Sequence, residues 1–186
     1  RDKGQHILLG AYGETLRLMR AVGADPERLL LRLPLELRLD PGFRLRAPRL
    51  PAPLHVALAL ARARGLEWRD RRAAARFVRA LQAQDYRVAP DECVAALLDR
   101  HEQPPAVREC LWEPLCIAAL NTHARDASAQ VFAAVLRDSL GARRAASDLL
   151  LPRVDLGALF PVPAARWIEQ RGGRVRLGAA VRRIVP

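Results

Sequence analysis

Hydrophobic residues recur along most of this chain at the spacing of amphipathic helices. Between residues 10 and 22, Tyr12, Leu16 and Met19 stand at i, i+4 and i+7, which places their side chains on one helix face. Gly23 follows and predicts the end of the helix. The first element expected is therefore a helix with one buried face.

The pattern changes to strict alternation at 31–39. Every odd position there is Leu and the even ones are Arg, Pro or Glu, the period of a strand with one solvated face. "DPG" at 40–42 is a turn signal, and "FRLR" at 43–46 resumes the alternation. Pro34 favours a sheet edge or a strand start. The sequence predicts a β-hairpin over about 31–46.

From 48 to 140 the spacing predicts consecutive helices. Their signals are apolar positions at helical spacing, N-cap residues, prolines and closing glycines. They comprise a helix at 53–64 that stops at Gly65, a helix at 67–82 with Ala73, Phe77, Val78 and Leu81 inward, a helix N-capped by Asp91, two pieces divided at Pro114, and "DASAQVFAAVLRDSLG" closed by Gly141.

The last part of the chain mixes both patterns. "DLLLPRVDL" is extended, "VPAARWIEQRGG" is a helix with a glycine stop, and "RVRLGAAVRRIVP" alternates as one or two short strands. A helix, a glycine turn and a strand in this order are typical of an α/β domain.

The net charge of the chain is large, but it changes the predicted structure and function little. The 186 residues carry a formal net charge of +11 and are 51% hydrophobic, which excludes general disorder. Lys3 is the only lysine, and the arginines are scattered over polar faces without interleaved aromatic residues. We expect solvated helix faces and no nucleic-acid partner. A surface for anionic membrane or an acidic partner is the alternative.

No apolar run reaches the roughly 18–20 residues of a membrane span. "VALALA" at 56–61 predicts a buried helix or a surface lying against lipid. Three cysteines, Cys93, Cys110 and Cys116, form no CxxC pair, which indicates reduced thiols and a cytoplasmic protein.

Local catalytic signatures are absent from the sequence. GxGxxG, GxxxxGK[ST], HExxH and GxSxG do not occur, and the four histidines lie far apart. Two polar clusters remain. One is Asp2-Lys3-Gly4-Gln5-His6, a ligand-side turn or an ordinary capping loop. In the other, Glu113, Asn121 and Thr122 interrupt apolar surroundings. They are either site residues, or Asn121 or Thr122 caps a helix and the Glu113 carboxylate faces solvent.

Several stretches resemble one enzyme family. They are "DKGQHILLGAY", "LPAPLHVALALARARG", "LWEPLCIAALNT", "SAQVFAAVLRDSLG" and "LLLPRVDLGALFPVPAARWIEQRGG". Together they are similar to hydroxysqualene dehydroxylases, FAD-dependent enzymes of bacterial hopanoid pathways within the phytoene desaturase and amine oxidase group. The resemblance runs from Asp2 to about Ile184.

The resemblance implies an α+β, mostly α-helical fold. Substrate-domain helices and a β-hairpin would be inserted in an FAD-binding Rossmann-like fold whose nucleotide-binding βαβ unit is absent from this chain. Residues 1–12 would form a flavin-proximal loop, 13–147 the substrate-binding domain, and 148–186 the return to the FAD domain. The opening on Arg1 agrees with the central part of a longer enzyme.

The resemblance also implies site residues. Asp2, Gly4, Gln5 and His6 match a turn near the flavin, and Val181 matches a strand residue near the adenine. The implied reaction reduces hydroxysqualene to squalene by hydride transfer from reduced flavin. His6 and Glu113 are then the candidate proton donors, and Asn121 and Thr122 the candidate substrate contacts.

The cofactor expected is therefore FAD, with no metal, and the expected partner is a long-chain isoprenoid lipid, with peripheral membrane contact. Two alternatives stay open. One is a carotenoid desaturase-like or amine oxidase-like flavoenzyme. The other is a non-enzymatic, arginine-rich helical module that binds membrane or nucleic acid.

Overall fold

The computed structural model describes residues 7–141 and 143–183. These residues form mostly helices with a few short strands, which confirms the predicted α+β, mostly α-helical class. They group into two compact units. The first comprises 7–8, 12–32 and 150–183, and the second 9–11, 33–141 and 143–149. The functional domains expected from the resemblance, and their insertion in a flavin-binding fold, stay predictions.

The helices and strands follow one another with short connections. In chain order they are β1 (Leu8–Leu9), α1 (Gly13–Ala21), α2 (Pro26–Leu29), β2 (Leu30–Leu33), β3 (Glu36–Leu39), β4 (Phe43–Arg46), α3 (Leu54–Ala61), α4 (Trp68–Ala83), α5 (Val94–Arg100), α6 (Pro105–Val107), a first π-helical segment (Arg108–Trp112), α7 (Glu113–Leu120), α8 (Ala129–Leu136), a second π-helical segment (Arg137–Gly141), a 3-10 turn (Arg144–Ser147), β5 (Leu149–Pro152), α9 (Leu156–Leu159) and α10 (Pro161–Glu169).

The first unit has a small core around α1. Leu16 and Met19 are buried there with Leu30, Leu150 and Leu159, as predicted, whereas Tyr12 precedes the helix and is 42% exposed, so its predicted place on the buried face was wrong. A three-stranded sheet has the order β1–β5–β2, with β5 in the centre. α10 confirms the helix expected in "VPAARWIEQRGG".

The second unit contains the larger core. Phe43 and Leu45 of β4 are buried with Phe77 and Leu81 of α4 and with Trp112. β3 and β4 pair antiparallel, with Glu36 opposite Arg46 and Leu39 opposite Phe43. Because side chains alternate along a strand, one hairpin face is apolar and buried and the other carries the charges. The inward face predicted for α4 is confirmed.

The predicted hairpin is shorter than expected. Residues 31–39 do not form one strand: β2 belongs to the three-stranded sheet, and the hairpin begins at Glu36. Pro34 separates the two because it has no N–H to donate to a ladder. Leu31 and Leu33 are 37% and 38% exposed, so the regular alternation of leucines did not correspond to one buried face.

Asp91 was predicted to be the N-cap of the helix that follows it, and this was wrong. Cys93 is the N-cap of α5, and its Sγ accepts a hydrogen bond of 3.5 Å from the Ala96 N–H. The Asp91 carboxylate instead accepts hydrogen bonds from the Ser128 hydroxyl at 2.6 Å and the Gln130 N–H at 3.0 Å. The first N–H groups of α8 have no partner within that helix, and the Asp91 carboxylate accepts from one of them instead of capping α5.

Pro114 does not divide its helix into two separate pieces as predicted. α6, the first π-helical segment and α7 follow each other without a loop. Pro114 lies in the first turn of α7, where the missing N–H is tolerated. The wider turn of the π-helical segment therefore replaces the expected kink.

The strands predicted after α10 are not formed. Residues 174–183 have no regular structure, and Leu177 and Val181 are 92% and 80% exposed. A strand exists through its pairing with another strand, and none pairs with this segment in the part of the chain that the structure describes. Its alternating sequence alone does not produce a strand.

Candidate functional site

An apolar pocket lies inside the second unit. All its lining side chains are hydrophobic, and its volume of about 20 Å³ leaves room for about one water molecule. They come from the hairpin, α3, α4, α7 and both π-helical segments: Leu35, Leu37, Leu45, Val56, Ala59, Leu60, Val78, Leu111, Trp112, Leu115 and Leu140.

Both π-helical segments contribute to this pocket. Leu111 and Trp112 come from the first and Leu140 from the second. π-helical turns inside α-helices occur frequently at functional sites. The pocket is therefore the candidate site for an apolar ligand or part of one.

Trp112 is held in the pocket wall by a buried amide. Its indole N–H donates a hydrogen bond of 2.8 Å to Oε1 of Gln103. The Gln103 Nε2 donates to the carbonyls of Ala73 and His101, both at 3.1 Å. Because the polar atoms of this buried group are paired, the position of the indole is well defined.

Aromatic contacts support the same wall. Phe77 meets Trp112 edge to face with ring centroids 5.0 Å apart, and meets His101 at 5.2 Å. Burial lowers the pKa of His101, and Arg100 lowers it further while Glu92 opposes the shift. These contacts indicate a neutral ring that packs as a structural group.

His55 is a second buried histidine, on α3 in the second unit. It is 0% exposed, and neither ring nitrogen has a hydrogen-bond partner among residues 7–141 and 143–183. Burial is the main cause that lowers the pKa of His55, and in the nearby ion pair Arg144 lowers it further while Asp148 raises it. The ring is therefore neutral at physiological pH.

The structure describes only one of the five residues predicted to lie near the flavin. Asp2, Gly4, Gln5 and His6 lie outside the described residues. Val181 is described and exposed, in a segment without regular structure. Proximity of these five residues to a flavin stays a prediction.

The other predicted site residues lie at the two ends of α7. Glu113 begins the helix, and Asn121 ends it in the left-handed conformation, with φ +50°. The Thr122 hydroxyl donates to the Leu120 carbonyl at 2.9 Å. Eight residues of helix separate Glu113 from Asn121 by about 12 Å, so the structure does not bring them together. Neither Asn121 nor Thr122 lines the apolar pocket.

The three cysteines form no disulfide. Burial raises the pKa of Cys116, and Glu113 raises it further; burial and Glu109 do the same to the pKa of Cys110. Neither thiol is activated as a nucleophile. Among the described residues, no three His, Cys, Asp or Glu side chains gather as a metal site.

Gln103 and His55 were missed by the sequence analysis. His55 had a signal, a single polar residue within the apolar run of α3. Gln103 had none, because its partner on α4, the Ala73 carbonyl, lies 30 positions away and is reached only through the tertiary fold.

Comparison with known proteins gives one partial similarity. A stretch of 74 residues, 40% of this chain, is 36% identical to a hydroxysqualene dehydroxylase of Sinorhizobium fredii (strain NBRC 101917 / NGR234). The match covers 18% of that protein, so the chain spans less than a fifth of the curated relative it matches. No protein-family model matches the chain. The similarity therefore relates less than half of this chain to a short part of that protein.

An FAD pyrophosphate is bound by backbone N–H groups at a glycine-rich turn between a strand and a helix. Among the described residues the GxGxxG spacing of such a turn does not occur, and the turn from β1 to α1 carries only Gly10 and Gly13. Within the same residues, no helix is long and apolar enough to cross a membrane.

Proposed function

We propose that this chain is part of an FAD-dependent oxidoreductase that reduces hydroxysqualene to squalene. The observation that carries the proposal is the 36% identity to a hydroxysqualene dehydroxylase over 74 residues. Asp2, Gly4, Gln5, His6 and Val181 are proposed to lie beside the FAD, as the resemblance of their segments implies.

The proposed reaction replaces a hydroxyl by hydrogen. The C–O bond breaks, the oxygen leaves as water after it takes up a proton, and the carbon receives a hydride. Reduced FAD supplies that hydride when it is bound, and no described residue is assigned to this transfer. A protein acid must supply the proton, and His6 and Glu113 are the proposed donors.

The second unit is proposed to supply an apolar wall for the isoprenoid chain. Its pocket has only hydrophobic lining residues, but about 20 Å³ does not hold a long isoprenoid. The pocket is therefore proposed as one part of a longer channel. Asn121 and Thr122, at the end of α7, are proposed to contact the polar part of the substrate.

The reaction is tested with the full-length protein that contains this chain. It is purified, checked for bound flavin by absorbance, and incubated anaerobically with hydroxysqualene and a chemical reductant. We expect squalene by gas chromatography with mass spectrometry. Conversion of phytoene or of an amine instead, with no squalene formed, would replace the proposal by a desaturase or amine oxidase.

The pocket is tested by adding volume to its wall. Val78→Phe places a larger ring at a pocket residue, and we expect KM for hydroxysqualene to rise about tenfold with a smaller change in kcat. Val131→Phe on α8, where Val131 is 50% exposed, is the matched control and keeps the wild-type KM. Equal KM values in both variants, with both folded, would exclude the pocket from substrate binding.

The proton donor is tested at its two candidate positions. Loss of a catalytic acid lowers kcat about 100- to 10,000-fold, so one of Glu113→Gln and His6→Gln is expected to do so and to remove the basic limb of the pH profile. Glu109→Gln is the control for Glu113, because Glu109 lies one helical turn earlier and is exposed. Full activity in both variants would assign the proton to another group.

A further inference from the structure

An open groove on the second unit is lined by arginines. Its volume is about 860 Å³, and its other lining residues are Leu33, Pro34, Ala47 and Pro48. We call it the arginine groove. Its five arginines are Arg44, Arg46, Arg49, Arg62 and Arg64.

Backbone pairing brings these arginines together. Arg44 and Arg64 pair antiparallel, with the Arg44 N–H donating to the Arg64 carbonyl at 3.2 Å and the reverse bond at 2.8 Å. Residues that exchange both hydrogen bonds have Cα atoms about 5.5 Å apart and side chains on the same face. Like charges directly opposite each other destabilise such a pair, so this arrangement favours an anion between them.

The groove keeps a large positive excess. Glu36 is the acid that neutralises it in part, with its carboxylate 3.0 Å from Nε of Arg44 and 3.8 Å from Nε of Arg46. Within residues 7–141 and 143–183, Arg49, Arg62 and Arg64 form no ion pair. Glu36 therefore pairs with two of the five groove arginines and shares its charge with Arg38 at 2.7 Å, which leaves the groove with a net positive charge.

The shape and lining of the groove indicate the kind of anion. Arg46, Arg49, Arg62 and Arg64 are exposed, whereas a site that encloses one small anion buries its ligands. No aromatic residue lines the groove to stack on nucleic-acid bases. The lining combines guanidinium groups with apolar Leu, Pro and Ala side chains, which suits a layer of phosphate groups above acyl chains.

We propose that the arginine groove docks the protein on the surface of an anionic phospholipid bilayer. The guanidinium groups bind lipid phosphates, and Leu33, 38% exposed at the edge of the groove, contacts the apolar boundary. The inference rests on the charges of the second unit and is independent of the proposed reaction.

The test is co-sedimentation of the full-length protein with vesicles. One set contains phosphatidylcholine and phosphatidylglycerol, the other phosphatidylcholine alone. Each arginine near an anionic surface contributes about fivefold in affinity, so R49Q/R62Q/R64Q is expected to bind the anionic vesicles on the order of 100-fold more weakly. Wild-type binding is expected to need phosphatidylglycerol and to weaken as salt is raised.

The matched control removes three other arginines. R72Q/R76Q/R79Q removes the same number of charges from the exposed face of α4. We expect its fold-loss of affinity to be less than a third of the fold-loss of the groove variant. If the groove triple variant does not fold, R49Q/R62Q is used, with an expected loss of about 25-fold. Thermal unfolding establishes that each variant is folded.

Three results would overturn the inference. Equal loss in the groove and α4 variants would show a general charge effect. If free diphosphate competes with the vesicles, binds as tightly as they do and loses its binding in the groove variant, the groove is a small-anion site. Groove-dependent binding of single-stranded RNA but not of vesicles would show a nucleic-acid surface. Failure to form squalene affects none of these measurements, so the two proposals fail separately.

Discussion

The indole N–H of Trp112 donates a hydrogen bond of 2.8 Å to the side-chain oxygen of Gln103. Trp112 is 1% and Gln103 4% exposed. The same glutamine amide donates to the Ala73 carbonyl on α4 at 3.1 Å, so one polar side chain connects α4 with the first π-helical segment. A wall of the apolar pocket therefore depends on a polar contact.

Trp112→Phe is expected to destabilise the protein measurably. The substitution leaves Oε1 of Gln103 buried without its donor, which costs about 1–3 kcal/mol, and it removes ring volume from the core. Urea unfolding gives the change in the free energy of unfolding. Trp68→Phe is the control, because Trp68 is 67% exposed, and we expect a change within about 0.5 kcal/mol. Similar effects of both substitutions would contradict the role of the buried hydrogen bond.

Gly65→Ala is expected to be more destabilising than Gly42→Ala. Both glycines have a left-handed backbone, with φ +79° and +86°. A Cβ at Gly65 would meet the Phe43 Cα at 2.9 Å, whereas a Cβ at Gly42 would meet no atom within 4 Å. Gly42→Ala is expected to cost about 1 kcal/mol and Gly65→Ala at least about 1 kcal/mol more. Thermal unfolding of the two variants measures the difference, and equal losses would show that the backbone conformation alone matters.

Stability is expected to fall as the pH falls through about 6.5. Burial holds the pKa of folded His55 and of folded His101 below this value. The unfolded chain therefore binds more protons in the window between the lowered folded values and 6.5, and protonation favours unfolding. Urea unfolding across this window measures the slope.

Variants assign this pH dependence to its residues. His55→Leu and His101→Leu each remove one titrating ring and are expected to reduce the slope, with the double variant reducing it most. The free energy at neutral pH will change as well, because the packing changes, so the slope is the deciding quantity. An unchanged slope in all three variants would show that these rings do not govern it.

Asp91→Asn is expected to weaken the link between the segment before α5 and the start of α8. Hydrogen bonds from the Ser128 hydroxyl and the Gln130 N–H hold the pKa of Asp91 below its ordinary 3.8. The stability that they provide is fully present above 3.8 and is lost as the pH falls through the lower folded value. Urea unfolding followed by circular dichroism at several pH values is expected to give the variant a lower free energy of unfolding than wild type at neutral pH and an equal one at low pH. Ser128→Ala breaks the same contact from the other side and also removes the N-cap hydrogen bond from the Val131 N–H, so it should lower stability at both pH values and match Asp91→Asn only in the pH-dependent part.

Much of the helical structure could be predicted from neighbouring residues. α1, α4 and α8 lie where their apolar spacing predicted them, because helix amphipathicity is read within a few residues. The hairpin turn was predicted for the same reason, from "DPG" and the alternation around it. The candidate site was predicted less well, since the flavin-side residues lie outside the described part and Glu113 and Asn121 lie at opposite ends of one helix.

The sequence by itself determined the mostly helical α+β class, the face of α4 that is buried, and the antiparallel pairing around residues 40–42. Only the tertiary structure decided which partner each polar group would take. Asp91 bonds to Ser128 across 37 positions, and Arg44 pairs with Arg64 although the sequence shows only scattered arginines. The physical reason is that periodicity reports local backbone geometry, whereas hydrogen bonds and charge clusters depend on which segments the core brings together.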